Sequence, residues 1–98
     1  MSETLTPTRQ PVDSDRESAF GRPWNVIVLN DNHNTFEGVA FALSHTLPGV
    51  SYERGLEIAD RIHRSGRAVV WSGVRELAEH YHAQLEAFGL TMAPLEQV

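Results

Sequence analysis

The stretch Val26-Ile27-Val28-Leu29-Asn30-Asp31-Asn32-His33-Asn34-Thr35-Phe36-Glu37 decides how this chain folds. Its first four residues, with Trp24 just upstream, form a short apolar run that suits a strand with both faces at least partly covered. Six polar residues follow, Asn30 to Thr35, each able to accept a hydrogen bond, and Asn and Asp adopt the conformations of tight turns readily. Asn34 or Thr35 then caps a helix. From Phe36 the apolar positions Val39, Ala40, Leu43 and Leu47 recur at spacings of three and four until Pro48-Gly49 stops the run. A strand therefore gives way to a helix across a dense row of acceptors, which reads as a recognition surface rather than a plain connection.

Downstream, Ser51 is a good N-cap, and Glu53 meets the positive end of a helix dipole while Arg61 and Arg64 meet the negative end. Leu56, Ala59 and Ile62 make the apolar stripe of this second helix, His63 follows at its end, and Gly66 supplies a left-handed cap. Arg67 to Trp71 reads as a second strand, and Ser72-Gly73 leads into a third helix with Leu77, Tyr81, Leu85 and Phe88 on one face. Gly89 stops it. Leu90 to Leu95 reads as a third strand, at a sheet edge because Pro94 cannot donate a ladder hydrogen bond. The order is β-α-α-β-α-β, and the expected fold is α+β: three helices packed on one face of a small three-stranded antiparallel sheet.

The chain has 98 residues, enough for one small domain. Residues 1–22 are rich in Ser, Thr, Pro and charge with little to bury, so a flexible arm is expected there, and a single domain over 23–98. No cysteine is present, so neither disulfides nor thiolate chemistry can serve. No apolar stretch has the length of a membrane span and the start lacks the pattern of a secretion signal, so a soluble cytoplasmic protein, acting as a monomer, is expected. The formal charge is −5, and the part beyond the arm, with nine acidic groups and five arginines, carries −4 of it. That sign argues against nucleic acid as the main partner.

Four blocks, Val28-Leu-Asn-Asp-Asn-His-Asn-Thr-Phe-Glu37, Ile62-His-Arg-Ser-Gly-Arg-Ala-Val-Val70, Arg75-Glu-Leu-Ala-Glu79 and Leu90-Thr-Met-Ala-Pro-Leu-Glu96, together resemble the ClpS family, adaptors of ATP-dependent Clp proteases. The resemblance covers about residues 24–96 and agrees with the element order above. It implies an adaptor and not an enzyme: one that binds the first residue of a client protein, an N-degron, and delivers the client to the N-terminal domain of a Clp AAA+ unfoldase. By position, Asn30, Asp31 and His63 would hold the client's free α-ammonium, directly or through water, with Asn32 and Asn34 shaping the rim. Phe36, Val39, Ala59 and Ile62 would line a pocket for a bulky hydrophobic side chain. No cofactor is implied. Glu76 and Glu79, at helical spacing on the third helix, would face the unfoldase.

Some positions depart from the family pattern. Asn32 stands where an Asp is frequent, Asn34 where a Thr is common, Thr35 where a Pro often occurs and Phe36 in place of a gating Met. Thr91 falls about where an apolar pocket residue is expected, and Tyr81 replaces a lysine near the partner surface. The rim is thus less negative, and the stiff Phe36 ring would narrow the pocket.

Plainer readings stand beside these. Asn30 to Asn34 also suits an ordinary turn with an N-cap, Glu76 and Glu79 a solvated helix face, and a domain of this fold would also serve as an interaction module indifferent to free N-termini. Five histidines, at 33, 45, 63, 80 and 82, raise metal binding. His80 and His82 are two apart on a helix and diverge, however, and His33 with His63 supply only two ligands.

Overall fold

The computed structural model describes residues 21–98, and the expected order holds: β1 Trp24–Leu29, α1 Phe36–Thr46, α2 Tyr52–Ser65, β2 Arg67–Gly73, α3 Arg75–Ala87 and β3 Glu96–Gln97. β1 lies at the centre of the sheet, in the order β2-β1-β3, and pairs antiparallel with both neighbours. Val26, Ile27 and Val28 are all essentially solvent-free. Successive strand side chains point to opposite faces, so both faces of β1 are covered. Along β2 the register slips between Val26, which faces Trp71, and Ile27, which faces Val69, so Val70 is the extra residue of a bulge. The arm expected over residues 1–22 lies outside the described residues, apart from Gly21 and Arg22.

The helix ends form where the capping chemistry places them. Thr35 Oγ1 accepts from Gly38 N at 2.9 Å, which settles the cap of α1 on Thr35, and Ser51 Oγ accepts from Arg54 N at 3.0 Å. Gly66 closes α2 with φ of 90°, a left-handed conformation that costs a glycine little. Its carbonyl then accepts from Asn30 N at 2.9 Å, which draws the C-terminus of α2 to the end of β1.

Two expectations about packing faces need correction. On α3, Leu85 is buried and Tyr81 half-buried against Trp71 as expected, but Leu77 and Phe88 are 43% and 45% exposed and Ala78 is buried instead. An alanine carries little weight in an apolar count, yet Ala78 is fully buried in the core. On α2, Leu56 is only partly buried, and Gly55, Ile58, Ala59 and Ile62 form the inner face. A Cβ at Gly55 would lie 2.8 Å from Ala40 Cα and 2.9 Å from Ala40 O, so this glycine is what lets α1 and α2 approach.

The third strand also differs. Residues 90–95 make only an isolated bridge, Val28 to Met92, and the paired strand is Glu96–Gln97 against Asn25 and Trp24. It is an edge strand, as expected, but Pro94 interrupts the ladder before it instead of lying within it. The connecting segment stays pinned to β1 by Leu29 N to Thr91 O at 2.8 Å and Ala93 N to Ile27 O at 3.1 Å.

Candidate functional site

Four chain segments converge at the C-terminal end of β1: the turn 30–35, the first turn of α1, the last two turns of α2 and residues 90–91. They enclose a cavity of about 40 Å³. At its polar end stand Asn30, Asp31, Asn34, His63 and Thr91, and its apolar wall is built from Phe36, Val39, Ala59 and Ile62 with Val28, Leu29 and Leu90. Eight of the nine residues expected at a client pocket therefore come together from three separate elements. Asn32 does not line the cavity and is exposed in the turn.

The turn is organised around one carboxylate. Asp31 Oδ1 accepts from the backbone N–H groups of His33 at 3.1 Å and Asn34 at 2.8 Å. Oδ2 accepts from Asn34 Nδ2 and from the Thr91 hydroxyl, both at 2.7 Å. Its side chain is only 12% exposed. Partial burial works to raise its pKa, but the hydrogen bonds from Thr91, Asn34 and His33 outweigh it and hold the carboxyl well below its ordinary range. Asn34 Nδ2 also donates to Gly89 O at 3.0 Å, so the turn is tied to the segment after α3 at two points. The site thus presents a fixed negative charge before any ligand arrives.

Across the cavity the Phe36 ring meets His63 edge-on, with centroids 5.5 Å apart and planes at 64°. Phe36 is 39% exposed and sits at the mouth. Val39, Ala59 and Ile62 are buried beneath it, on the facing sides of α1 and α2. His33 Nε2 lies 3.8 Å from Asp31 Oδ2 but is 69% exposed and outside the cavity. Among the described residues no three His, Asp or Glu side chains gather in a way that would hold a metal ion.

A sequence profile described as "ATP-dependent Clp protease adaptor protein ClpS" matches residues 21–93. The chain belongs to the ClpS family. It is 49% identical over 73 residues to the ATP-dependent Clp protease adapter protein ClpS of Thermosynechococcus vestitus, covering 74% of this chain and 78% of that one. It is 44% identical over 94 residues to the ClpS of Nostoc sp., covering 95% and 97%. Among solved structures it is similar to Agrobacterium tumefaciens ClpS2 bound to L-phenylalaninamide, with a TM-score of 0.73 and 25% identity, covering 79% of this chain and 98% of that one.

For a ClpS-family chain, the departures at Asn34 and Thr91 have a shared structural consequence: both donate to the same oxygen of Asp31. Sequence reading placed Thr91 near the pocket but gave it no partner. The pairing of residues 90–95 with the end of β1 was the signal that would have set it beside Asp31. Val28, Leu29 and Leu90 were missed as lining because each also reads as ordinary core. On α3, Glu76 and Glu79 are exposed, and Glu79 pairs with Arg75 at 3.0 Å. Tyr81, in place of the family's lysine, is turned inward against Trp71, so that position presents no cation to a partner.

Proposed function

We propose that this chain captures client proteins by their free first residue and presents them to a Clp AAA+ unfoldase through α3. As a ClpS-family member it is an adaptor of the ATP-dependent Clp protease and not itself a catalyst. The observation that carries the finer reading is a cavity with a fixed anion at one end and an apolar wall at the other. That is the complement of an α-ammonium and the hydrophobic side chain beside it. Asn30, Asp31 and His63 hold the ammonium, directly or through an intervening group, with Asn34 at the rim. Phe36, Val39, Ala59 and Ile62 receive the side chain. L-Phenylalaninamide, the ligand of the Agrobacterium relative, has this chemistry: a free amine, an aromatic side chain and an amide where a second residue would begin.

Magnitudes fit transient capture. Burying a Leu or Phe side chain contributes about 1.5–3 kcal/mol, and each hydrogen bond to a charged group about 1.5–3 kcal/mol. Two or three such terms, less the cost of association, correspond to a dissociation constant on the order of micromolar. A blocked amine removes the charge and leaves the anion facing an acetyl group, so discrimination is steep.

Glu76 and Glu79 form the part of α3 that meets the unfoldase's N-terminal domain, and the adaptor works as a cytoplasmic monomer. The test is degradation of a Leu-first fluorescent client by purified Clp unfoldase and peptidase. The expected result is that degradation depends on this protein, and that reversing both charges with Glu76→Arg and Glu79→Arg abolishes delivery while leaving peptide affinity within about twofold. Equal degradation of an N-acetylated client would contradict it.

A further inference from the structure

Asp31 is the natural partner for an ammonium, yet its acceptor capacity is already used. A carboxylate offers about four lone-pair sites. Four donors fill them here: the backbone N–H groups of His33 and Asn34 at Oδ1, and the Asn34 amide and Thr91 hydroxyl at Oδ2. Three of these donors lie within the turn itself. Two of them are backbone N–H groups, which a ligand cannot displace without opening the turn that leads into α1. The fourth, Thr91, comes from a different segment, and the residue lines the cavity.

A threonine hydroxyl has one hydrogen and two lone pairs. The hydrogen of Thr91 is committed to Asp31 at 2.7 Å, so the oxygen can act only as an acceptor toward the cavity. Donation to a carboxylate polarises the O–H bond and makes that oxygen a better acceptor than a free hydroxyl. Its place is fixed as well, because Leu29 N donates to Thr91 O at 2.8 Å and locks the backbone to β1. An ammonium brings three donors and no acceptor. Asn30 and His63 provide two groups for it, and a third acceptor is required.

We infer that Thr91 is a direct contact of the client's α-ammonium, its hydroxyl oxygen accepting from the amine while its hydrogen carries the interaction on to Asp31. This assignment rests on the reading of the cavity as an N-terminal-residue pocket. Asp31 then acts at one remove, through charge and through the hydroxyl it orients. The residue that departs from the family's apolar pattern thereby becomes part of the amine-recognition end.

The experiment is an NMR titration of the wild-type protein, Thr91→Val and Thr91→Ser with two probes, L-phenylalaninamide and 3-phenylpropanamide, which lacks the amine. Valine keeps the shape and removes the hydroxyl; serine keeps the hydroxyl. Thr91→Val is expected to weaken L-phenylalaninamide about tenfold or more, to leave unchanged the much weaker binding of 3-phenylpropanamide, read at a probe concentration on the order of millimolar, and to be rescued by Thr91→Ser. Equal weakening of both probes would overturn the assignment, since Thr91 would then only shape the pocket. Unchanged or tighter binding of L-phenylalaninamide to Thr91→Val would overturn it too, because the ammonium would be reaching Asp31 itself, and so would failure of Thr91→Ser to rescue. If L-phenylalaninamide does not bind the wild-type protein, the pocket reading itself fails and the Thr91 assignment falls with it.

Discussion

Asp31 folds the recognition turn and charges the cavity with the same two oxygens, and this double duty gives it a pH signature. Its folded-state pKa lies below its ordinary value of 3.8, so the ionised form is the one the fold stabilises. The contribution is fully present above the unfolded value and is lost as pH falls from there through the lowered one. Asp31→Asn is therefore expected to cost about 1–3 kcal/mol in urea denaturation near pH 7, with a smaller deficit at pH 3. A deficit independent of pH would take the charge out of the account. Phe36 has a separate role. The cavity is small, about 40 Å³, and the partly exposed Phe36 ring is part of its lining. Phe36→Ala should widen the entrance and raise affinity for Trp-first relative to Leu-first peptides several-fold; an unchanged ratio would show that the ring does not limit the client.

The helices position the pocket, and at Gly55 the backbone of α2 lies hard against Ala40 of α1. Adding one methyl there meets backbone atoms of Ala40 that cannot swing aside. Gly55→Ala is expected to destabilise the fold by about 1–3 kcal/mol and to displace α2, moving Ala59, Ile62 and His63 together. Chemical denaturation beside a peptide titration checks both, and a stable variant with an intact pocket would contradict it. How far such elements could be read in advance depended on whether their signals were local. The caps at Thr35, Ser51 and Gly66 use neighbours within three or four residues, so pattern alone located the ends of α1 and α2. The inner faces of α2 and α3 were read less well because Gly55 and Ala78 matter by being small, and an apolar count overlooks small residues. Residues 90–95 have strand-like composition, but Pro94 limits their pairing to a single bridge, and the ladder resumes only at Glu96.

Taken together, the molecule uses its topology to bring one end of the central strand, one helix start, one helix end and a C-terminal segment to the same point. Residues 30–34 stand out in the sequence as a row of acceptors beside an apolar run, whereas Phe36, Val39, Ala59, Ile62 and His63 were expected at a pocket only through the resemblance to the ClpS family. The Thr91 to Asp31 bond spans 60 positions, and nothing near Thr91 in sequence announces it. Only the placement of the 90–95 segment against β1 does so. The same arrangement explains why recognition should depend on the amine and the side chain jointly: the fixed anion and the apolar wall belong to one small cavity.

The most direct measurement is fluorescence anisotropy of a labelled Leu-, Phe-, Tyr- or Trp-first peptide titrated with the wild-type protein, beside the same peptide N-acetylated and beside the Asp31→Ala variant. Micromolar binding of the free peptide that disappears on acetylation and in the variant is the expected result. Equal binding of free and acetylated peptides, or no binding of any free N-terminus, would contradict the account and leave α3 as the working surface of the molecule.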